Sequence, residues 1–199
     1  MLLIGLTGGI GSGKSSVSSR LVERGAVVVD ADAIVREVQA PGEPVFAAMV
    51  ARFGPSVVAA DGSLDRRAVA DVVFADAGAL ADLNALVHPA VTAEIARRLE
   101  AEAGTDHVVV LDVPLLVESG RDDLAGLIVV DVDPDLAVAR LVAHRGFRAD
   151  DARARIARQA SRADRLARAD LVIDNSGTIE DLDAQVDHAW TWIQGLRTG

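Results

Sequence analysis

The run Leu2-Leu3-Ile4-Gly5-Leu6-Thr7-Gly8-Gly9-Ile10-Gly11-Ser12-Gly13-Lys14-Ser15 decides the fold. Leu2–Thr7 reads as a strand buried on both faces. Glycines then break it, and a helical pattern starts at about Gly13 and runs to Glu23, closed near Gly25. Gly8-x-x-x-x-Gly13-Lys14-Ser15 fills every fixed position of a Walker A phosphate loop, between the strand and the helix where that motif works. Glycine lets the backbone curl so that successive N–H groups point inward at phosphate oxygens. The helix start adds the positive end of its dipole. Nucleotide contacts are expected from Gly8, Gly9, Gly11, Ser12, Gly13, Lys14, Ser15 and Ser16. Lys14 would reach the β- and γ-phosphates, and the Ser15 hydroxyl would ligate Mg2+. A dinucleotide fingerprint fits worse, because Gly9-x-Gly11-x-x would place its third glycine where Lys14 stands.

Around this loop, short apolar runs ending in acid recur at Ala26–Asp30, Val108–Val113, Leu127–Val132 and Leu171–Asp174. Helical patterns follow at Pro134–His144, Asp151–Arg168 and Thr178–Leu196. Strands alternating with helices predict an α/β P-loop NTPase sandwich with a parallel sheet. The alternation stops between Ala31 and His107, where only helical patterns appear. The expected organisation is a nucleotide-binding core over 1–31, 107–144 and 169–199, a helical substrate-binding insertion over 32–106 and a lid over 145–168.

Composition narrows the function. The 199 residues are 50% apolar with mean hydropathy +0.27, which suits one globular domain and excludes a disordered chain. No apolar run approaches the roughly 20 residues of a membrane helix, and Met1–Thr7 is too short for a signal peptide. With no cysteine there is no disulfide framework, and a cytoplasmic address is expected. The net charge of −10 argues against a general nucleic-acid binder. Arg140–Arg168 carries nine arginines against three aspartates, a local balance of +6 that leaves −16 on the rest. Lys14 is the single lysine beside 19 arginines, so the compact ammonium has a specific task there.

Asp30 and Asp32 close the second strand, where side chains face the ligand crevice. Asp32 is assigned as the proton acceptor and Asp30 as a metal or orienting partner, against the alternatives of a helix N-cap or a ribose contact. Asp112 is a further candidate for the metal shell. Among the arginines, Arg140 is expected to face the phosphates, with Arg145 behind it, and Arg145-Gly146-Phe147-Arg148 reads as the exit into a mobile flap. His88-Pro89 reads as a helix start.

These residues, together with Asp61-Gly-x-Leu-Asp-Arg66, His88-Pro89, Pro114-Leu-Leu-Val-Glu118 and Asp174-Asn-Ser-Gly177, stand in the order seen in the dephospho-CoA kinase family, which the chain resembles from Leu3 to about Trp192. The resemblance implies transfer of phosphate from ATP, with Mg2+, to the 3′-hydroxyl of dephospho-CoA, with no nucleic-acid or membrane partner. It implies Asp32 as base, Arg140 as the phosphate-contacting arginine and Asn175 with Gly177 as the adenine-side loop. It also carries dephospho-CoA contacts to Asp32, Arg66, His88, Leu115 and Glu118. Ser16 stands where many relatives carry threonine. A nucleoside monophosphate kinase would explain the loop and lid but leaves the insertion and Pro114–Glu118 without a purpose. A nucleic-acid-associated ATPase fits poorly with the charge and with six aromatics and no tyrosine.

Overall fold

In the computed structural model, which describes residues 1–197, β1 (Leu2–Gly8) is the central strand of a five-stranded sheet. It leads through the glycine loop into α1 (Lys14–Glu23) and then β2 (Val27–Asp30). The chain next builds only helices: α2 (Ala31–Val38), α3 (Pro44–Phe53), a 3-10 turn (Pro55–Val57), α4 (Arg66–Ala75) and α5 (Ala77–Glu102). It returns to the sheet with β3 (Val108–Asp112), α6 (Leu116–Ser119) and β4 (Gly126–Asp131). The last segments are α7 (Pro134–Arg145), α8 (Ala149–Ile156), α9 (Arg162–Arg168), β5 (Leu171–Asp174) and α10 (Ile179–Leu196).

The strand order is β2-β3-β1-β4-β5. β1 pairs in parallel with β3 on one side and β4 on the other, and β4 pairs in parallel with β5. The order therefore reverses at β1, and the loop after it opens at the switch point where such sheets bind ligands. Leu6 lies opposite Asp112 and Gly8 opposite Val130, so the register brings the ends of three strands to the loop.

Two compact units emerge. One comprises Met1–Val29 and the chain from Glu102 onward; the other is Asp30–Ala101. In the first, Ile4, Leu6, Val110, Ile128 and Ile173 of the sheet pack with Val17 and Leu21 of α1 and with Leu182, Val186 and Ile193 of α10. The second has its own core of Met49, Val57, Val69, Val73, Ala79 and Val87. No helix among the described residues is long and apolar enough to cross a membrane.

Three sequence expectations are corrected. The pattern read as one helix over Asp151–Arg168 is two, α8 and α9, because Ser161 caps the second by accepting from the Asp164 N–H (3.1 Å). Pro89 does not start a helix but lies inside α5. A proline within a helix removes one N–H and costs about 3 kcal/mol; Leu83, Leu86, Val87 and Val91 pack on one cluster and hold the helix through it. The exit from α7 is a packed corner rather than a free flap. Gly146 closes the helix at φ 65°, Phe147 packs against Val138, Leu141 and Ala152, and the Arg155 guanidinium lies 4.8 Å from its ring centroid.

Ile128 is fully buried in the sheet core. Ile128→Ala is expected to cost about 2–5 kcal/mol in denaturant unfolding, whereas Val142→Ala, on the exposed side of α7, should stay within about 0.5 kcal/mol.

Candidate active site

Gly11 and Gly13 hold φ of 82° and 83°, the left-handed region that side chains disfavour. Close approach adds a second demand for glycine at both positions. A Cβ on Gly11 would sit 2.9 Å from the Ala137 carbonyl of α7, and one on Gly13 would fall onto the Asn175 side-chain amide. Asn175, buried in the loop after β5, donates its Nδ2 to the Ser12 carbonyl at 2.7 Å. The phosphate loop is thus clamped between α7 and the Asn175 turn, and Gly177 follows in the same turn before α10.

Lys14 opens α1 with its Nζ paired to Asp112 Oδ1, and Asp112 Oδ2 accepts from the Ser18 hydroxyl. Lys14 and Ser18 are four apart and share a helix face, so one turn of α1 grips both oxygens of one carboxylate. The Asp112 side chain is 1% exposed and that of Lys14 13%. The carboxylate read as a metal-shell candidate thus meets the lysine and Ser18. Ser15 and Ser16, at the loop's end, are exposed.

Arg140 lies on α7, the helix packed against Gly11, and its buried Nη1 has no hydrogen-bond partner among the described residues. The buried Ser12 hydroxyl likewise has none. A buried donor without an acceptor costs about 1–3 kcal/mol, so both atoms suit a ligand oxygen. Of the other island arginines, Arg162 is held by Asp131 through Nε–Oδ1 at 2.9 Å and Nη2–Oδ2 at 2.6 Å. That carboxylate raises the Arg162 guanidinium above its ordinary pKa. Arg145 is exposed at the C-terminal end of α7.

Asp32, Arg66 and His88 belong to the second unit. Asp30 caps α2, its Oδ1 accepting from the backbone N–H of Asp32 (2.8 Å) and Ala33 (3.1 Å), the N-cap alternative weighed for it. Asp32 is exposed in the first turn of α2. Arg66 opens α4 and donates Nη1 to the buried Gln39 Oε1 at 2.8 Å. Desolvation, and then the Arg36 charge, push its guanidinium below the ordinary arginine value. Beside it lies a groove of about 290 Å³ lined by Val35, Leu64, Val69 and Val73. His88 is exposed on α5, and Leu115 is 50% exposed ahead of α6. Glu118 accepts the Ala160 N–H at 2.8 Å on Oε1, a contact within the first unit.

Sequence reasoning missed Ser18, Gln39, Gln159 and Arg165. Gln159 Oε1 accepts the Ile10 N–H of the phosphate loop at 2.9 Å. Only the helical spacing from Lys14 could have singled out Ser18; glutamines and one arginine among nine carry no local signal.

A family model for dephospho-CoA kinase (CoaE) matches residues 2–181. A dephospho-CoA kinase of Streptomyces avermitilis is 54% identical over 191 residues, covering 96% of this chain and 93% of the relative. One from Thermobifida fusca is 53% identical over 195 residues, covering 98% and 97%. The crystal structure of TT1252 from Thermus thermophilus superposes with a TM-score of 0.78 at 33% identity, covering 96% of this chain and 97% of that one.

Gly13→Ala should weaken nucleotide binding at least about tenfold, since a left-handed conformation costs an ordinary residue about 1–2 kcal/mol before any collision. Nucleotide titration of the variant against the wild type checks this.

Proposed function

Because the chain belongs to the dephospho-CoA kinase family, we propose that it transfers the γ-phosphoryl group of ATP to the 3′-hydroxyl of dephospho-CoA, the step that completes coenzyme A. The observation that carries this reading is the buried, unpartnered Nη1 of Arg140 on the helix packed against Gly11. A phosphate oxygen supplies the acceptor that this N–H lacks.

The chain's groups divide the work. The backbone donors from Gly8 to Ser16 cradle the phosphates, and Lys14 neutralises charge at the β- and γ-positions. To do so its ammonium shifts from Asp112 toward the incoming oxygens or shares itself between them. The Ser15 hydroxyl would hold a Mg2+ ion, which when bound would offset charge on the phosphates. Arg140 donates to oxygens on which charge grows during transfer, in a site where such bonds count for more than in water. Asp32 takes the proton of the attacking hydroxyl, its place set by the Asp30 cap. Asn175 and Gly177 border the adenine.

On the helical unit, Arg66 and the groove beside it suit an acceptor with an anionic diphosphate and a long arm that carries apolar segments. Dephospho-CoA has both. His88 and Leu115, both exposed, remain as candidate contacts to it.

Initial rates with ATP and dephospho-CoA test the assignment. Asp32→Asn keeps size and a hydrogen-bonding oxygen but cannot take the proton, so transfer should fall about 10²–10⁴-fold while ATP affinity stays within about threefold. Arg140→Ala should cost on the order of 100-fold in rate. Normal turnover by Asp32→Asn, or its full rescue by excess Mg2+, would remove Asp32 as the base.

A further inference from the structure

The arginine island contains a second cation aimed at the phosphate loop. Of its members, Arg162 is committed to Asp131, Arg155 stacks on Phe147, and Arg153 lies 3.6 Å from Asp150. Arg145, Arg148, Arg158 and Arg168 are exposed. Arg165 is different. It is half-buried, forms no ion pair among the described residues, and lies so close to the loop that a Cβ on Gly9 would meet its Nη2 at 2.9 Å.

The surroundings fix that placement. Arg165 Nη1 donates to the Ala160 carbonyl. The Ala160 N–H is itself taken by Glu118 Oε1 at 2.8 Å, and the neighbouring Gln159 accepts the Ile10 N–H at 2.9 Å. The link between α8 and α9 is thus tied to α6 and to the phosphate loop at two consecutive residues. Those ties aim one guanidinium. Arg165, Gln159, Gly9, Ile10 and the unpartnered, 2%-exposed Ser12 line a cavity of about 300 Å³.

We propose that Arg165 binds the terminal phosphate of the nucleotide, and that Glu118 and Gln159 are positioning residues that hold it there. The choice of phosphate rests on the functional reading above, in which Asn175 borders the adenine. Asn175 packs against Gly13, so the base side lies at the Gly13 end of the loop and the terminal phosphate at the Gly9–Ile10 end. A planar fork with free donors suits the equatorial oxygens of a transferring phosphoryl group. Glu118 thereby acts on the lid segment instead of on the acceptor.

The test compares ATP and ADP affinities by titration, without acceptor, and then initial rates with dephospho-CoA. Arg165→Ala should weaken ATP binding at least about tenfold, leave ADP within about twofold, and lower kcat about 100-fold. Arg165→Gln retains a donor for the Ala160 carbonyl without the charge; should the alanine variant fold poorly, it should show the same selective loss. Arg168→Ala, on the exposed face of α9, should match the wild type. Glu118→Ala should lower kcat with the KM for dephospho-CoA unchanged. Equal loss of ATP and ADP binding in Arg165→Gln would make Arg165 a strut of the loop, and no loss of either would make it a surface charge; both overturn the proposal. A raised KM for dephospho-CoA in Glu118→Ala returns Glu118 to the acceptor site and overturns its positioning role. The functional reading fails separately, if the wild type binds ATP yet transfers nothing to dephospho-CoA.

Discussion

The site depends on one buried ion pair. Lys14 sits at the start of α1 and Asp112 at the end of β3, and their contact ties the phosphate loop to the strand beside β1. Removing two charges from water is expensive, and the pair persists only because further bonds satisfy it. Ser18 supplies one by donating to the second carboxylate oxygen. The interaction shelters the chain's only lysine at the start of α1, beside the glycine loop. It also explains why the rest of the cradle is so constrained. With Lys14 fixed on one side, Asn175 on another and α7 against Gly11, a side chain at Gly11 or Gly13 has nowhere to go.

Arginine does what lysine cannot do here. The island between Arg140 and Arg168 mixes guanidinium groups with different duties. Arg162 closes a bidentate bond on a buried aspartate, Arg155 covers an aromatic ring, and Arg140 keeps a buried N–H unused. Each exploits the planar fork or its weak hydration. The local charge of +6 in an acidic chain therefore has several duties: Arg162 ties α9 to β4, Arg155 covers the Phe147 ring, and Arg145, Arg148, Arg158 and Arg168 are exposed.

Much of this was legible before the structure. The strand, loop and helix around Gly8–Ser15 follow from local chemistry alone, as does the switch from alternating strands and helices to helices only after Asp30. Asp30 as a cap was among the readings weighed, because a carboxylate before a helical pattern serves that purpose. What stayed hidden depends on long-range partners. The contacts of Asp112 with Lys14 and Ser18 carry no local signal, because both partners are nearly a hundred residues away. Pro89 looked like a boundary because local propensity cannot see the valines and leucines that hold α5 together. The break between α8 and α9 was readable in Ser161-x-x-Asp164, a cap signal masked by the surrounding arginine-rich helical pattern.

A double-mutant cycle across the central pair tests this account most directly. Equilibrium unfolding of Lys14→Met, Asp112→Asn and the double variant gives the coupling energy. The account predicts that each single change is strongly destabilising, because it strands a buried charge or a buried polar group, and that the double variant loses less than the sum by at least about 1 kcal/mol. Losses that add to within about 0.5 kcal/mol would contradict it, and would mean that the loop keeps its place without the lysine's grip on the sheet.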